Sequence, residues 1–201
     1  MSRYETSSGK RPCVVYSFGV QYESSFEENL LRRTSCEVFG IDFSVVEFGE
    51  QLSSLTSEQK SRAHFRQVGI AGKTDRLHDP PFFSIQDLMK ANGHEYIDIL
   101  KMDIEGYEFE SMASLIQEFR DGPIPIGQFM VEIHLDASLS GDQVDFPYFL
   151  DWWEKLEAGG LRPVWTEPNL LYVTLNVQKD NVMPRFAEVS TYRGATIDRV
   201  C

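Results

Sequence analysis

Short apolar runs alternate along this chain with stretches whose apolar residues recur at spacings of three and four. "CVVYSFG" (13–19) reads as a buried strand. Ser24 and Ser25 then precede Glu27 and Glu28 at capping-box spacing, which predicts a helix start. "CEVFGID" (36–42) is a second strand that ends on an acid, followed by a helix or loop around 49–61. "AHFRQVGIAG" (63–72) is a third strand ending in small residues. After Pro80-Pro81, Ser84 caps a helix that runs to about Ala91. "EYIDILKMD" (95–103) is the fourth strand, and Phe109, Met112, Leu115, Ile116 and Phe119 then mark one face of a helix. "IGQFMVEIHL" (126–135) is the fifth strand, and "YFLDWWEKLEAGG" is a helix with a glycine stop. "LRPVWTEPNLLYVTLN" reads as an antiparallel hairpin turned at Glu-Pro-Asn.

Strand alternating with helix implies right-handed crossovers and a mostly parallel sheet with helices on both faces. The fold class is α/β, doubly wound, with the hairpin adding an antiparallel strand at the C-terminal side. One domain is expected over 13–178, with a flank at 1–12 and a loose tail at 179–201.

Composition narrows the function. The 201 residues carry a net charge of −12 and no long lysine or arginine run, which argues against a nucleic-acid partner. No stretch is apolar for long enough to cross a bilayer, and "MSRYETSSGKRP" lacks the apolar centre of a signal peptide. The cytoplasm is therefore the default compartment. Cys13, Cys36 and Cys201 have no metal-site spacing. Cys13 and Cys36 read as two small buried residues in preference to a disulfide, which neighbouring strands in an oxidising compartment would allow.

In an open parallel sheet, ligands bind beyond the carboxyl ends of the strands, where strand order reverses. Those ends carry Ser17-Phe18-Gly19, Asp42, Gly69-Ile70, Asp103 with Glu105, and Glu132 with His134. Asp42 follows the second strand at a spacing suited to accepting both hydroxyls of a ribose. The loop after the first strand holds one glycine and lacks a pyrophosphate cradle, so a nucleoside ligand without phosphates is favoured. Glu108 and Glu110 open the next helix, where acids suit the positive end of its dipole. Glu132 is expected on the opposite face of its strand unless the strand end bends. Phe82-Phe83 reads as a core anchor before a lid.

"ILKMDIEGYEFE" resembles the K-x-D-x-E-G-x-E signature of FkbM-type methyltransferases, a branch of the Rossmann-like, S-adenosylmethionine-dependent class. "VYSFGVQYESSFEENLL" followed by "CEVFGID" is similar to the opening of the methyltransferase-like branch, and "FMVEIHL" to its fifth strand. The resemblance spans roughly residues 13 to 177. It implies a seven-stranded sheet binding S-adenosylmethionine over the first, second and fourth strand ends. By position, the Ser17–Gly19 backbone would approach the methionine part, Asp42 would hold the ribose, and Gly69-Ile70 would flank the adenine. Asp103, with Glu105, would face the cationic amino and sulfonium groups. The implied reaction is direct methyl displacement, by O-methylation of a small-molecule or glycan-type acceptor. His134, and with it Asp103, is the candidate for handling the acceptor's proton. No resident metal is assigned. Two other readings stay open. One is a non-catalytic binding module on the same fold. The other is a nucleotide-sugar transferase holding a divalent ion on Asp103 and Glu105, with Glu132 and His134 completing the shell.

Overall fold

The computed structural model describes residues 11–134, 144–168 and 186–193. Along the chain run β1 (Val14–Phe18), α1 (Ser25–Arg33), β2 (Glu37–Asp42), a short 3-10 helix (Glu50–Ser54), α2 (Ser57–Lys60) and β3 (Ala63–Gln67). There follow β4 (Gly69–Ile70), β5 (Phe82–Phe83), α3 (Ile85–Asn92), β6 (Ile97–Met102), α4 (Glu108–Glu118) and β7 (Ile126–His134). The helix Phe146–Ala158, here α5, leads to β8 (Leu161–Pro168) and β9 (Phe186–Arg193).

Seven strands form one sheet in the order β3-β2-β1-β6-β7-β9-β8. Pairing from β3 to β7 is parallel, and β9 lies antiparallel between β7 and β8. Two expectations are corrected here. The strand that pairs with β8 is 186–193, inside the segment read as a tail, and the expected turn partner after Pro168 lies outside the described residues. The third strand also breaks early. It stops at Gln67, and Gly69-Ile70 leave the main sheet to pair with Phe82-Phe83 in a two-stranded ribbon.

Alternation along β1 shows how the core divides. Val14, Tyr16 and Phe18 face α3, α4 and α5, packing with Leu88, Met112, Leu115, Trp152 and Leu156. Val15 faces the other way, toward Leu31 of α1 and Leu52 of the 3-10 helix. Helix starts follow local chemistry, though not always as read. Ser84 caps α3 by accepting from the Asp87 N–H at 3.3 Å. Ser24 does not cap α1, because its hydroxyl accepts instead from the Gly49 N–H at 2.8 Å. The capping box lies at Thr56 and Gln59.

Cys13 and Cys36 precede the paired residues Val14 and Glu37 on adjacent parallel strands, and they form a disulfide with Cα atoms 4.5 Å apart. The preference for two unpaired buried thiols is thus overturned by register. The bridge spans a sequence separation of 23 and ties together the starts of β1 and β2. Reduction is expected to lower unfolding free energy by about 3 kcal/mol through the released loop entropy. Urea unfolding with and without dithiothreitol measures this, and coincident curves would show that the bridge contributes nothing.

Candidate functional site

Strand order reverses between β1 and β6, so the loops leaving their carboxyl ends diverge and open a cleft there. Gly19 forms its floor. With φ at +72°, it brings backbone so close that a Cβ would lie 1.7 Å from the Asp103 carbonyl oxygen. Three bonds fix this contact: Gly19 N–H to the Ile41 carbonyl, Asp103 N–H to the Phe18 carbonyl, and Lys101 Nζ to the Gly19 carbonyl.

The cleft offers about 600 Å³ free of protein atoms, part of it open to solvent. Gly19, Asp42, Gly69, Ile70, Asp103 and Glu105, six of the residues singled out from sequence, line it together. Ser17, Phe18 and His134 do not. Ser17 is fully buried and donates its hydroxyl to Glu27 Oε1 at 2.5 Å, and Phe18 is in the core.

Asp42 is buried and already organises its surroundings. Its Oδ2 accepts from the Gln21 N–H, and its Oδ1 accepts from the backbone and hydroxyl of Ser44, at 2.7–2.8 Å. A carboxylate has about four acceptor positions, so one is left for a ligand hydroxyl. Accepting both hydroxyls of a ribose, as expected from the sequence, would need one of these three bonds to give way.

Sequence reasoning missed an aromatic wall. Phe82 splits from Phe83: Phe83 is core, whereas Phe82 lines the cleft with its ring over Gly69. Phe43 and Tyr107 lie 6.2 and 5.6 Å from the Phe82 ring, so three aromatics face one opening. Their exposure depends on where β5 docks, which no local pattern reveals.

The exit of β6 is an acidic turn. Glu105 adopts φ +53° and Gly106 φ +101°, two consecutive left-handed residues that reverse the chain sharply. Glu108 holds this turn. It is fully buried, accepts from the Ile104 and Gly106 N–H groups at 3.1 and 3.0 Å, and bonds His134 Nδ1 at 2.7 Å. Its assignment to the helix dipole understates it, since its main partners are the turn and the histidine.

His134 reaches the turn because β7 runs past β6. The last β6–β7 pair is Met102 with Val131, and β9 supports the three further residues. Glu132 is two residues from His134, which in a pleated strand puts both on one face, and its charge is felt at Asp103. The expected opposite placement of Glu132 fails. His134 is 3% exposed, with Nε2 3.7 Å from Asp103 Oδ1 and 3.5 Å from Glu105 Oε2.

Burial and the Glu132 charge push the Asp103 carboxyl up to about 6, against the opposing pull of Lys101 and His134. Burial alone would depress the His134 imidazole. The Glu108 hydrogen bond and the charges of Glu108, Glu105 and Asp103 outweigh it and raise the pKa.

The cleft therefore combines close backbone approach, an aromatic wall, a buried acid at β2 and two acids at β6. That donor set fits a nucleoside carrying positive charge, and Gly19 and Gly69 let the cleft walls close up, against the Asp103 backbone and the Phe82 ring. Solved structures with similar chain paths include a human methyltransferase 10 domain containing protein, at 8% identity and TM-score 0.47, covering 93% of this chain and 73% of that one. Others are the N-terminal domain of EvdMO1 with SAH bound, at 11% identity and TM-score 0.43, covering 90% and 74%, and the 16S rRNA methylase ArmA, at 11% and 0.39, covering 92% and 76%. No residue role passes from them to this chain. No curated protein matches it in sequence. Residues 3–170 match the family model described as a methyltransferase domain, so the chain belongs to that family, and its cofactor is S-adenosylmethionine.

Proposed function

We propose that this domain transfers a methyl group from S-adenosylmethionine to an oxygen of a small-molecule or glycan-type acceptor, in the manner of the FkbM-type branch. The observation that carries this reading is the convergence of Gly19, Asp42, Asp103 and Glu105 on one cleft at the strand-order reversal. When bound, the cofactor supplies a methyl on a sulfonium, so an acceptor oxygen bonds the methyl carbon while the sulfur–carbon bond breaks and sulfur keeps the electron pair.

The chain's own groups divide the remaining work. Asp42 accepts one ribose hydroxyl, and Phe82 with Ile70 flanks the base. Asp103 and Glu105 face the cationic end, where a partly buried carboxylate attracts more strongly than one in water. Asp103 lines the cleft with its carboxyl up to about 6, close to the value that suits a base at neutral pH. It takes the acceptor's proton, and His134 stands behind it, oriented by Glu108. The net charge of −12 supports an uncharged or weakly charged acceptor over nucleic acid. Lys101 is tied to the Gly19 carbonyl and is not available to a sugar diphosphate.

Calorimetric titration with S-adenosylmethionine and S-adenosylhomocysteine tests the reading. Micromolar binding is expected, with Asp42→Asn and Asp103→Asn each weakening it about tenfold or more, the scale of one charge-assisted hydrogen bond. Absence of binding up to millimolar ligand, in protein that unfolds cooperatively, would leave the non-catalytic module as the better account.

A further inference from the structure

We infer that Asp103, Glu105 and His134 form a site for one divalent cation of the manganese, iron or zinc type, at the exit of β6. One ligand atom from each residue lies within 4.8 Å of the others. His134 Nε2 is 3.5 Å from the Glu105 oxygen and 3.7 Å from the Asp103 oxygen, facing both carboxylates at ion-pair range. Two donors each about 2.1 Å from one ion, at a tetrahedral angle, stand about 3.4 Å apart, which matches.

The histidine is prepared for this role. Glu108 holds Nδ1 at 2.7 Å, which sets the tautomer and turns Nε2 toward the carboxylates, as a carboxylate behind a ligating imidazole does. Glu108 is fully buried and also holds the turn, so Glu105 and His134 are positioned by one side chain. The left-handed backbone at Glu105 carries its carboxylate back over the cleft, where it stays half exposed. Around this point Asp103, Glu105, Glu108 and Glu132 bring four carboxyl groups, opposed by Lys101 and the imidazole. A cation recovers the unfavourable energy of holding these acids together.

Two oxygen donors and one imidazole suit manganese, iron or zinc better than a thiophilic ion, and three protein ligands leave coordination positions open. An acceptor hydroxyl that entered one of them would be acidified by the ion. In the loaded protein His134 and Asp103 would be ligands, and the proton of the acidified hydroxyl would pass to water. This consequence rests on the methyltransferase reading, but the site itself does not.

The test uses the full chain, stripped with EDTA and titrated with manganese(II) in the absence of cofactor. Free manganese is read by its electron paramagnetic resonance signal, with zinc and magnesium in parallel thermal-shift assays. One equivalent of manganese is expected to bind. Glu105→Gln, at an exposed side chain that leaves folding intact, is expected to weaken it at least tenfold. Glu108→Gln is expected to weaken it about 10–100-fold as a positioning residue. Glu37→Gln, next to the distant His64, is expected to change nothing. No binding of any of the three ions up to 1 mM, or manganese binding indifferent to Glu105→Gln, overturns the site. Because cofactor is absent from these titrations, a failure here is distinct from a failure to bind S-adenosylmethionine.

Discussion

Gly19→Ala is expected to lower unfolding free energy by about 3–5 kcal/mol and to abolish measurable cofactor binding, whereas Gly93→Ala lowers stability by only about 1 kcal/mol. The two glycines share nearly the same backbone, φ +72° and +71°. They differ in what a methyl group would meet. At Gly93, which ends α3, nothing lies within 4 Å, so alanine pays only for its left-handed conformation. At Gly19 the new Cβ would sit 1.7 Å from the Asp103 carbonyl oxygen. Backbone atoms cannot swing aside as a flexible side chain can, so β1 and β6 must separate at their carboxyl ends. That separation breaks the bond from Asp103 N–H to the Phe18 carbonyl and removes the floor of the cleft. Denaturant unfolding of the two variants, with titration of S-adenosylmethionine into each, gives the comparison. Equal losses at the two positions would show that the contact with β6 carries no function.

Gly19 also shows what a sequence discloses about such a site. A lone glycine after a buried strand marks a place where backbone must approach something, and the parallel α/β pattern locates it at a strand end. The same rule located Asp42, Asp103 and Glu105, because carboxyl ends of strands are legible from where an apolar run stops. Elements that depend on partners far along the chain were not legible. β9 joins β7 to β8 across a long interval, and nothing in 186–193 declares the pairing. The Cys13–Cys36 bridge follows from β1 and β2 being adjacent and in register, which the strand pattern alone leaves open. Glu108 shows the same limit. Its position in the first turn of α4 suggests a dipole effect, yet its strongest bond runs to a histidine 26 residues away. Phe82 was grouped with Phe83 because adjacent residues look alike in sequence. The ribbon sends one ring to the core and the other to the cleft.

Asp103→Asn, in chelator-treated protein, is expected to raise stability at pH 8 by about 1 kcal/mol while reducing methyl transfer at least a hundredfold. Folding moves this carboxyl from its ordinary 3.8 up to about 6, with burial as the main cause and Glu132 next. A group raised in the folded state contributes stability that is fully present below its unfolded pKa. That contribution is lost as pH rises through the folded value, here between about 4 and 6. Above that window the native protein holds an ionised acid beside Glu105 and Glu132, and the asparagine amide removes that charge at nearly constant shape. At pH 4 the wild-type carboxyl is protonated in the folded state and the two proteins should unfold alike. The side chain is about a third exposed, so solvent screening reduces the gain below what the shift alone implies. Urea unfolding at pH 4, 6 and 8 traces the difference. An Asn variant less stable than wild type at pH 8 would mean that the charge is compensated in the free protein. A more stable and inactive variant would mean that the acids at the exit of β6 are kept for what they bind, at the expense of the fold that carries them.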